Sequence, residues 1–115
     1  MALDIFKSID IIEIMENYIE KVRPEPSIRN QLDIDYEIDN NAVILIEVRP
    51  SYKNPGEIAR FGYAKATYIK AKDIWKIFWK RADNKWHGYP PHPAVKHLKD
   101  FLELVDKDEY HCFKG

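Results

Sequence analysis

The chain has 115 residues, which provides for one domain and leaves little room for a second. Apolar residues make up 45% and aromatic residues 13% of it, so a packed core is expected and disorder is excluded. The net charge of −1 argues against a strongly basic nucleic-acid binder, although it leaves room for a local basic stripe. We therefore expect a single domain over residues 1–115.

The composition also bears on location. Acidic side chains interrupt residues 1–22, where a secretory signal would need an apolar run. No apolar stretch approaches the roughly 20 residues that a membrane helix needs. The single cysteine, Cys112, has no partner for an intrachain disulfide. These features predict a cytoplasmic protein of prokaryotic type that does not enter a membrane.

The first predicted element is a helix. Apolar residues recur at helical spacing over 11–22. Asp10 followed by Glu13 is typical of a capping box, so the helix is expected to begin there, with residues 3–6 as a possible further turn. Arg23-Pro24 ends it, because the residue before a proline avoids the helical region.

After this helix the spacing of the apolar residues changes to every second residue. Apolar and acidic residues alternate over 32–39, which predicts a strand with one acidic face. Further strands are predicted at about 42–49, 62–70, 74–81 and 86–89, and a last helix at about 93–106. Consecutive strands with short connections usually pair as antiparallel neighbours. The sequence thus predicts an α+β fold: an N-terminal helix, a five-strand antiparallel meander sheet and a C-terminal helix, with both helices on one face.

The register of each hairpin can be predicted because a one-residue slip turns every side chain to the other face. Small residues opposite tryptophans, and apolar residues opposite each other, decide the choice. The predicted cross-strand pairs are Ile34 with Ile46, Tyr36 with Ile44, Ala66 with Ile77, Ala64 with Trp79, Tyr68 with Trp75, Trp79 with Gly88, and Lys80 with His87. Trp75 and Trp79 are then core residues, and Trp86 is expected opposite Arg81 in a cation–π contact.

On this register the reverse face of the sheet is open and charged. Its acidic group is expected to comprise Asp33, Asp35, Glu37 and Glu47. Its basic group, the predicted binding residues, comprises Arg49, Lys65, Lys76, Lys80 and His87.

Several short motifs carry a resemblance to a known family. They include Glu47-Val48-Arg49-Pro50, the segments 64–68 and 75–79, Lys85-Trp86-His87, and the ending from Val105-Asp106 to Cys112-Phe113-Lys114-Gly115. From about Glu13 onward the chain resembles a small prokaryotic family catalogued as domain of unknown function 3024. The resemblance implies a stand-alone single-domain protein. It implies no activity, cofactor or catalytic residue.

The charged face supports two hypotheses. The first is a binding module without catalysis, whose partner is a protein, a nucleic acid or a second copy in a homodimer. Lysines of the hairpin formed by the predicted strands 62–70 and 74–81 favour nucleic acid as the partner. The complementary acidic and basic groups favour self-association.

The alternative is a metal-dependent phosphodiester hydrolase. Asp33, Asp35 and Glu47 would hold the metal ion and Lys65 would assist the attacking water. Arg49 stands where such sites use a lysine, and arginine cannot be deprotonated in proteins. The histidines at 87, 92 and 97 lack a cysteine pair, so no zinc site is predicted and no cofactor is expected.

Overall fold

The computed structural model describes residues 4–113, apart from the side chains of residues 5 and 6. Residue 3 of the possible extra turn, and Lys114-Gly115 of the chain ending, lie outside this description. The elements are α1 (Ile5–Val22), β1 (Asp33–Asp39), β2 (Ala42–Pro50), β3 (Ile58–Ile69), β4 (Ile74–Lys80), β5 (Trp86–Gly88), β6 (Ala94–Val95) and α2 (Leu98–Lys107).

The strands form one antiparallel sheet. Its order is β1-β2-β3-β4-β5, and β6 pairs with β4 as well. β5 pairs with the second half of β4 and β6 with its first half, so the two short strands share the outer edge of β4 end to end. The predicted α+β architecture, helix, five-strand meander and helix, is confirmed.

The core lies between one face of the sheet and both helices. Each helix contributes an apolar stripe, and the sheet contributes alternate residues of β2, β3 and β4. The members of this core include Ile11, Met15, Tyr18 and Ile19 of α1, Val43, Leu45, Ala64, Ala66, Trp75 and Ile77 of the sheet, and Leu98, Phe101, Leu102 and Val105 of α2. Small side chains on β3 leave room for the large ones beside them.

Both helices begin at residues other than those predicted. The Asp10 capping box is wrong, because α1 begins at Ile5 and the carboxylate of Asp4 accepts a 2.8 Å hydrogen bond from the Lys7 amide. α2 begins at Leu98 rather than near residue 93. Ala94–Val95 instead extends the sheet, and the Pro93 carbonyl accepts a 3.0 Å hydrogen bond from Ile77. Pairing with the edge of β4 satisfies main-chain groups that a longer helix would leave without partners.

Of the three predicted registers, that of β3 with β4 is confirmed: Ala64, Ala66 and Tyr68 lie opposite Trp79, Ile77 and Trp75. This hairpin has alanines on one strand against large apolar residues on the other. Its side-chain volumes therefore select one alignment.

The register of β1 with β2 is shifted by one residue from the prediction. Tyr36 lies opposite Leu45, not Ile44, and Asp35 lies opposite Ile46. The cause is a two-residue turn at Asn40-Asn41, in which Asn40 adopts a left-handed backbone with φ of 58°.

The register of β4 with β5 is also shifted. Trp79 lies opposite His87 and Lys80 opposite Trp86, so the predicted pairing of Trp79 with Gly88 is wrong. Five residues separate Lys80 from Trp86, and Asn84 takes the left-handed backbone within this loop. A longer loop than the predicted tight turn reverses which face Trp86 occupies.

The structure predicts a large dependence of stability on Phe101, which α2 presents to the core with no exposed surface. Replacing it by alanine, Phe101→Ala, is expected to lower the free energy of unfolding by about 3–5 kcal/mol. Chemical denaturation followed by circular dichroism measures this. Glu103→Ala, on the solvent side of the same helix, serves as the control and should change the value by less than about 0.5 kcal/mol. Equal losses in the two variants would contradict the placement of α2.

Candidate functional site

The face of the sheet opposite the helices is the candidate site, and we call it the open face. Alternation along the strands, with the observed register, assigns its side chains. They are Asp33, Asp35, Glu37 and Asp39 of β1, Ile44, Ile46 and Val48 of β2, Arg60, Gly62, Lys65 and Thr67 of β3, Lys76, Phe78 and Lys80 of β4, and Trp86 of β5.

The centre of the open face is aromatic, and Gly62 makes this possible. A β-carbon on Gly62 would lie 3.0 Å from Cγ2 of Ile44 and 3.1 Å from Cζ2 of Trp86. The missing side chain therefore lets the indole of Trp86 lie against the backbone of β3. Ile46, which pairs with Gly62, is only 3% exposed although both helices lie on the other face.

Lysines surround these rings. The Nζ atom of Lys65 lies 5.1 Å from the centre of the Phe78 ring and 5.0 Å from that of Trp86. The Nζ atom of Lys80 lies 5.1 Å from the Trp86 ring. The expected cation–π contact of Trp86 is thus made by two lysines, whereas Arg81 lies over Trp79. Partial burial lowers the pKa of Lys65 below its usual range, because removing water penalises the charged form.

Lys76 lies on the same face and is exposed to solvent. In the part of the chain that the structure describes, Lys65, Lys76 and Lys80 form no ion pair with a carboxylate. We call the group of Phe78, Trp86 and these three lysines the platform.

The acidic side chains of β1 are largely neutralised within the molecule. Arg23 binds Asp33 through two hydrogen bonds, Nε to Oδ1 at 2.9 Å and Nη2 to Oδ2 at 2.7 Å. Arg60 lies across β2 and donates to Asp35 at 3.1 Å and to Glu37 at 3.2 Å. The negative charge that the alternating pattern of β1 suggests is therefore mostly paired.

The structure brings together only some of the predicted binding residues. Lys65, Lys76 and Lys80 share the open face as expected. The expected placement of Glu47, Arg49 and His87 on that face is wrong. Glu47 lies opposite Ile34 on the helix-covered side, Arg49 follows it two residues later, and His87 lies opposite Trp79.

These positions separate the four residues of the hydrolase hypothesis. Asp33 and Asp35 lie on one face of the sheet and Glu47 on the other. Lys65 lies on β3, two strands away from β1, and its ammonium group contacts aromatic rings. Among residues 4–113, no three His, Cys, Asp or Glu side chains form a group that could hold a metal ion.

Sequence reasoning missed Phe78, Trp86 and Gly62 as parts of one site. The signal that points to them is the length of the loop before β5. Five loop residues put Trp86 on the face of Lys80, and the only glycine of β3 then lies within reach of its ring.

The fold and this face define a class: a small α+β domain with one helix-covered sheet face and one uncovered face that carries aromatic rings and cations. A family model described as domain of unknown function (DUF3024) matches residues 3–115, so the chain belongs to that family. The resemblance noted in the sequence is thereby confirmed and extends nearly to the first residue. Neither a curated protein nor a solved structure matches the chain.

Within residues 4–113, neither helix has the length and apolar character required to cross a membrane.

The close approach at Gly62 leads to a matched pair of variants. Gly62→Ala is expected to push Trp86 off β3, lowering the free energy of unfolding by about 1–3 kcal/mol and shifting tryptophan emission to longer wavelength. Gly88→Ala is the control, because a β-carbon there meets no atom within 4 Å. Denaturation and emission spectra measure both. Indistinguishable behaviour of the two variants would show that Gly62 does not make room for Trp86.

The ion pair of Asp33 predicts a pH dependence of stability. Arg23 holds the pKa of this carboxyl below its ordinary value of 3.8, so its contribution is present above about pH 4 and is lost as the pH falls further. Asp33→Asn, which keeps the acceptor for the Ile34 amide, should therefore be less stable than the wild type at pH 7, and the difference should shrink as the pH falls below about 4. Thermal unfolding across this range tests the expectation, which a difference independent of pH would refute.

Proposed function

We propose that this protein is a binding module that takes a single strand of nucleic acid on its open face. Bases would stack on Trp86 and Phe78, and phosphates would bind Lys65, Lys76 and Lys80. One observation carries the proposal: two aromatic rings and two lysine ammonium groups lie about 5 Å apart on an uncovered sheet, and no carboxylate of the described residues is paired with these lysines.

Aromatic rings on an open antiparallel sheet suit unpaired bases. Every base has a π face, so stacking on a tryptophan or phenylalanine tolerates any sequence. Both Phe78 and Trp86 keep part of their surface exposed, whereas Trp75, on the other face, is 2% exposed. Bases of an intact duplex are already stacked on each other, which favours single strands as the ligand.

The electrostatics of the open face support the same ligand despite the net charge of −1. Salt screens charges beyond about 8–10 Å, so a phosphate responds to the side chains next to it. At the platform these are three lysines that form no ion pair within the described residues, together with the carboxylate of Asp39, whose charge acts on Lys65. The carboxylates of Asp33, Asp35 and Glu37 are occupied by Arg23 and Arg60, which reduces their repulsion of a phosphate.

The same pairing weakens the case for self-association through this face. A dimer joined by acidic and basic halves needs free carboxylates to meet the lysines of the partner. Asp39 is the carboxylate of β1 without an ion pair in the described structure. A cytoplasmic location, expected from the composition, belongs to this proposal because single-stranded RNA and DNA are accessible there.

Fluorescence anisotropy with labelled oligo(dT) and oligo(U) of about ten nucleotides tests the proposal. Binding is expected at about 50 mM salt and should weaken steeply toward 200 mM. Trp86→Ala should weaken binding about 5- to 150-fold, the range for losing one stacked base. Lys80→Gln should weaken it and reduce the slope of affinity against salt by about one.

Two variants away from the open face provide controls. Tyr110→Ala removes an aromatic side chain that is 59% exposed, and Lys99→Gln removes an exposed charge on α2; neither should change affinity. Failure of the wild type to bind either oligomer at low salt would refute the proposal. Equal losses from Trp86→Ala and Tyr110→Ala, or equally tight binding of a duplex, would exclude stacking on the platform.

A further inference from the structure

The hairpin of β2 and β3 extends beyond the rest of the sheet, and we call residues 49–61 the arm. β1 pairs with β2 only as far as Val48, and β4 pairs with β3 only as far as Ala64. Over Ile58 to Gly62, β3 pairs with β2 alone among the described strands. This strand begins four residues earlier than the sequence predicts, which creates the arm.

We propose that two copies of this protein form a two-fold dimer by pairing the free edges of their β3 strands, antiparallel to each other, along the arm. The proposal does not depend on nucleic-acid binding. It rests on the unpaired main-chain edge, on the apolar surface of the arm and on the ion pairs of its two arginines.

The arm exposes more apolar surface than a solvated hairpin needs. Tyr52 is 87%, Ile58 72% and Phe61 44% exposed. An isolated two-stranded hairpin is only marginally stable in water, and an unpaired apolar edge is a template for another strand. The remaining edges are protected by other means: β1 carries four carboxylates, and β5 and β6 are three and two residues long.

A second copy fits this edge because both arginines of the arm are already paired with carboxylates of their own chain. Arg49 lies 3.7 Å from Glu47 and also over the ring of Phe61 at 4.9 Å. Arg60 is turned across β2 toward Asp35 and Glu37. Two arms can therefore approach without repulsion between these arginines. Because both are paired, neither favours a charged foreign peptide over a second copy. An antiparallel strand pair is also its own symmetric complement, as a two-fold interface requires.

This pairing has a geometric consequence for the open face. A two-fold axis through an antiparallel strand pair stands perpendicular to the sheet, so both open faces end on the same side. The two platforms then share one continuous surface. A ligand long enough to contact both would gain affinity through effective concentration without any new contact.

The symmetry also makes the pairing testable by cross-linking. The two-fold axis passes between the two β3 strands, so one residue must lie directly opposite its own copy. The α-carbons of such a pair are about 4.5–5.5 Å apart, and its side chains point to the same face of the sheet. That separation is within the range of a disulfide. Starting from Cys112→Ser, the variants Ala59→Cys, Arg60→Cys and Phe61→Cys therefore each place a thiol at a candidate axis position.

Mild oxidation should convert one of these three variants to a disulfide dimer far more completely than the others. Glu37→Cys, at the edge of β1, is the matched control and should stay monomeric on a non-reducing gel. Light scattering should give a dimer mass for the wild type. The double variant Ile58→Lys, Phe61→Lys should halve that mass while its circular dichroism shows the fold intact.

Three results would overturn the proposal. The first is a wild type that stays monomeric at all accessible concentrations. The second is a dimer in which none of the three positions cross-links. The third is a dimer that Trp86→Ala dissociates and the arm variant leaves intact, since its interface would then be the open face.

Discussion

The turn at Asn40-Asn41 is the constraint on which the two faces of the sheet depend. Because Asn40 adopts a left-handed backbone, Asp39 pairs with Ala42 and the register of the whole first hairpin follows. Val43 and Leu45 then enter the core, and Ile44 and Ile46 reach the open face. With a turn longer by one residue, either these two sets of β2 would exchange faces or the carboxylates of β1 would be buried beneath the helices.

A β-bulge next to this hairpin relates the platform to the arm. Leu45 pairs with Ala64 and Ile46 with Gly62, so Tyr63 is the extra residue of β3. Tyr63 is buried, and desolvation raises the pKa of its hydroxyl. Beyond the bulge the alternation of β3 is reset, which brings Gly62 to the face of Trp86 and Phe61 to the opposite face. Bulges bend and twist the strand that carries them, and here the arm begins at that point.

How much of this could be predicted from the sequence depends on whether a pattern has one solution. The register of β3 with β4 was predictable, because alanines on β3 fit only opposite the large residues of β4. The register of β1 with β2 was not predictable, because the segment 42–46 is apolar on both faces and its alternation does not select one of them. The register of β4 with β5 depended on the length of the loop between them, so the sequence assigned Trp86 to the wrong neighbours. The predicted placement on the open face holds for Lys65, Lys76 and Lys80 of β3 and β4, and it is wrong for Arg49 and His87.

The net charge of the chain is a poor guide to the open face, since it counts charges whether or not they are paired. Asp33 contributes to the sum as much as Lys80 does, yet a bidentate arginine holds Asp33, whereas no carboxylate within residues 4–113 is paired with Lys80. A ligand meets the unpaired charges, because paired ones present a weak field beyond the pair. Under the proposed function, Arg23 and Arg60 act indirectly. Because they neutralise carboxylates of β1, the lysines of β3 and β4 determine the electrostatic potential near the platform. The balance of the whole sequence therefore conceals a basic aromatic surface that only the register and the ion pairs define.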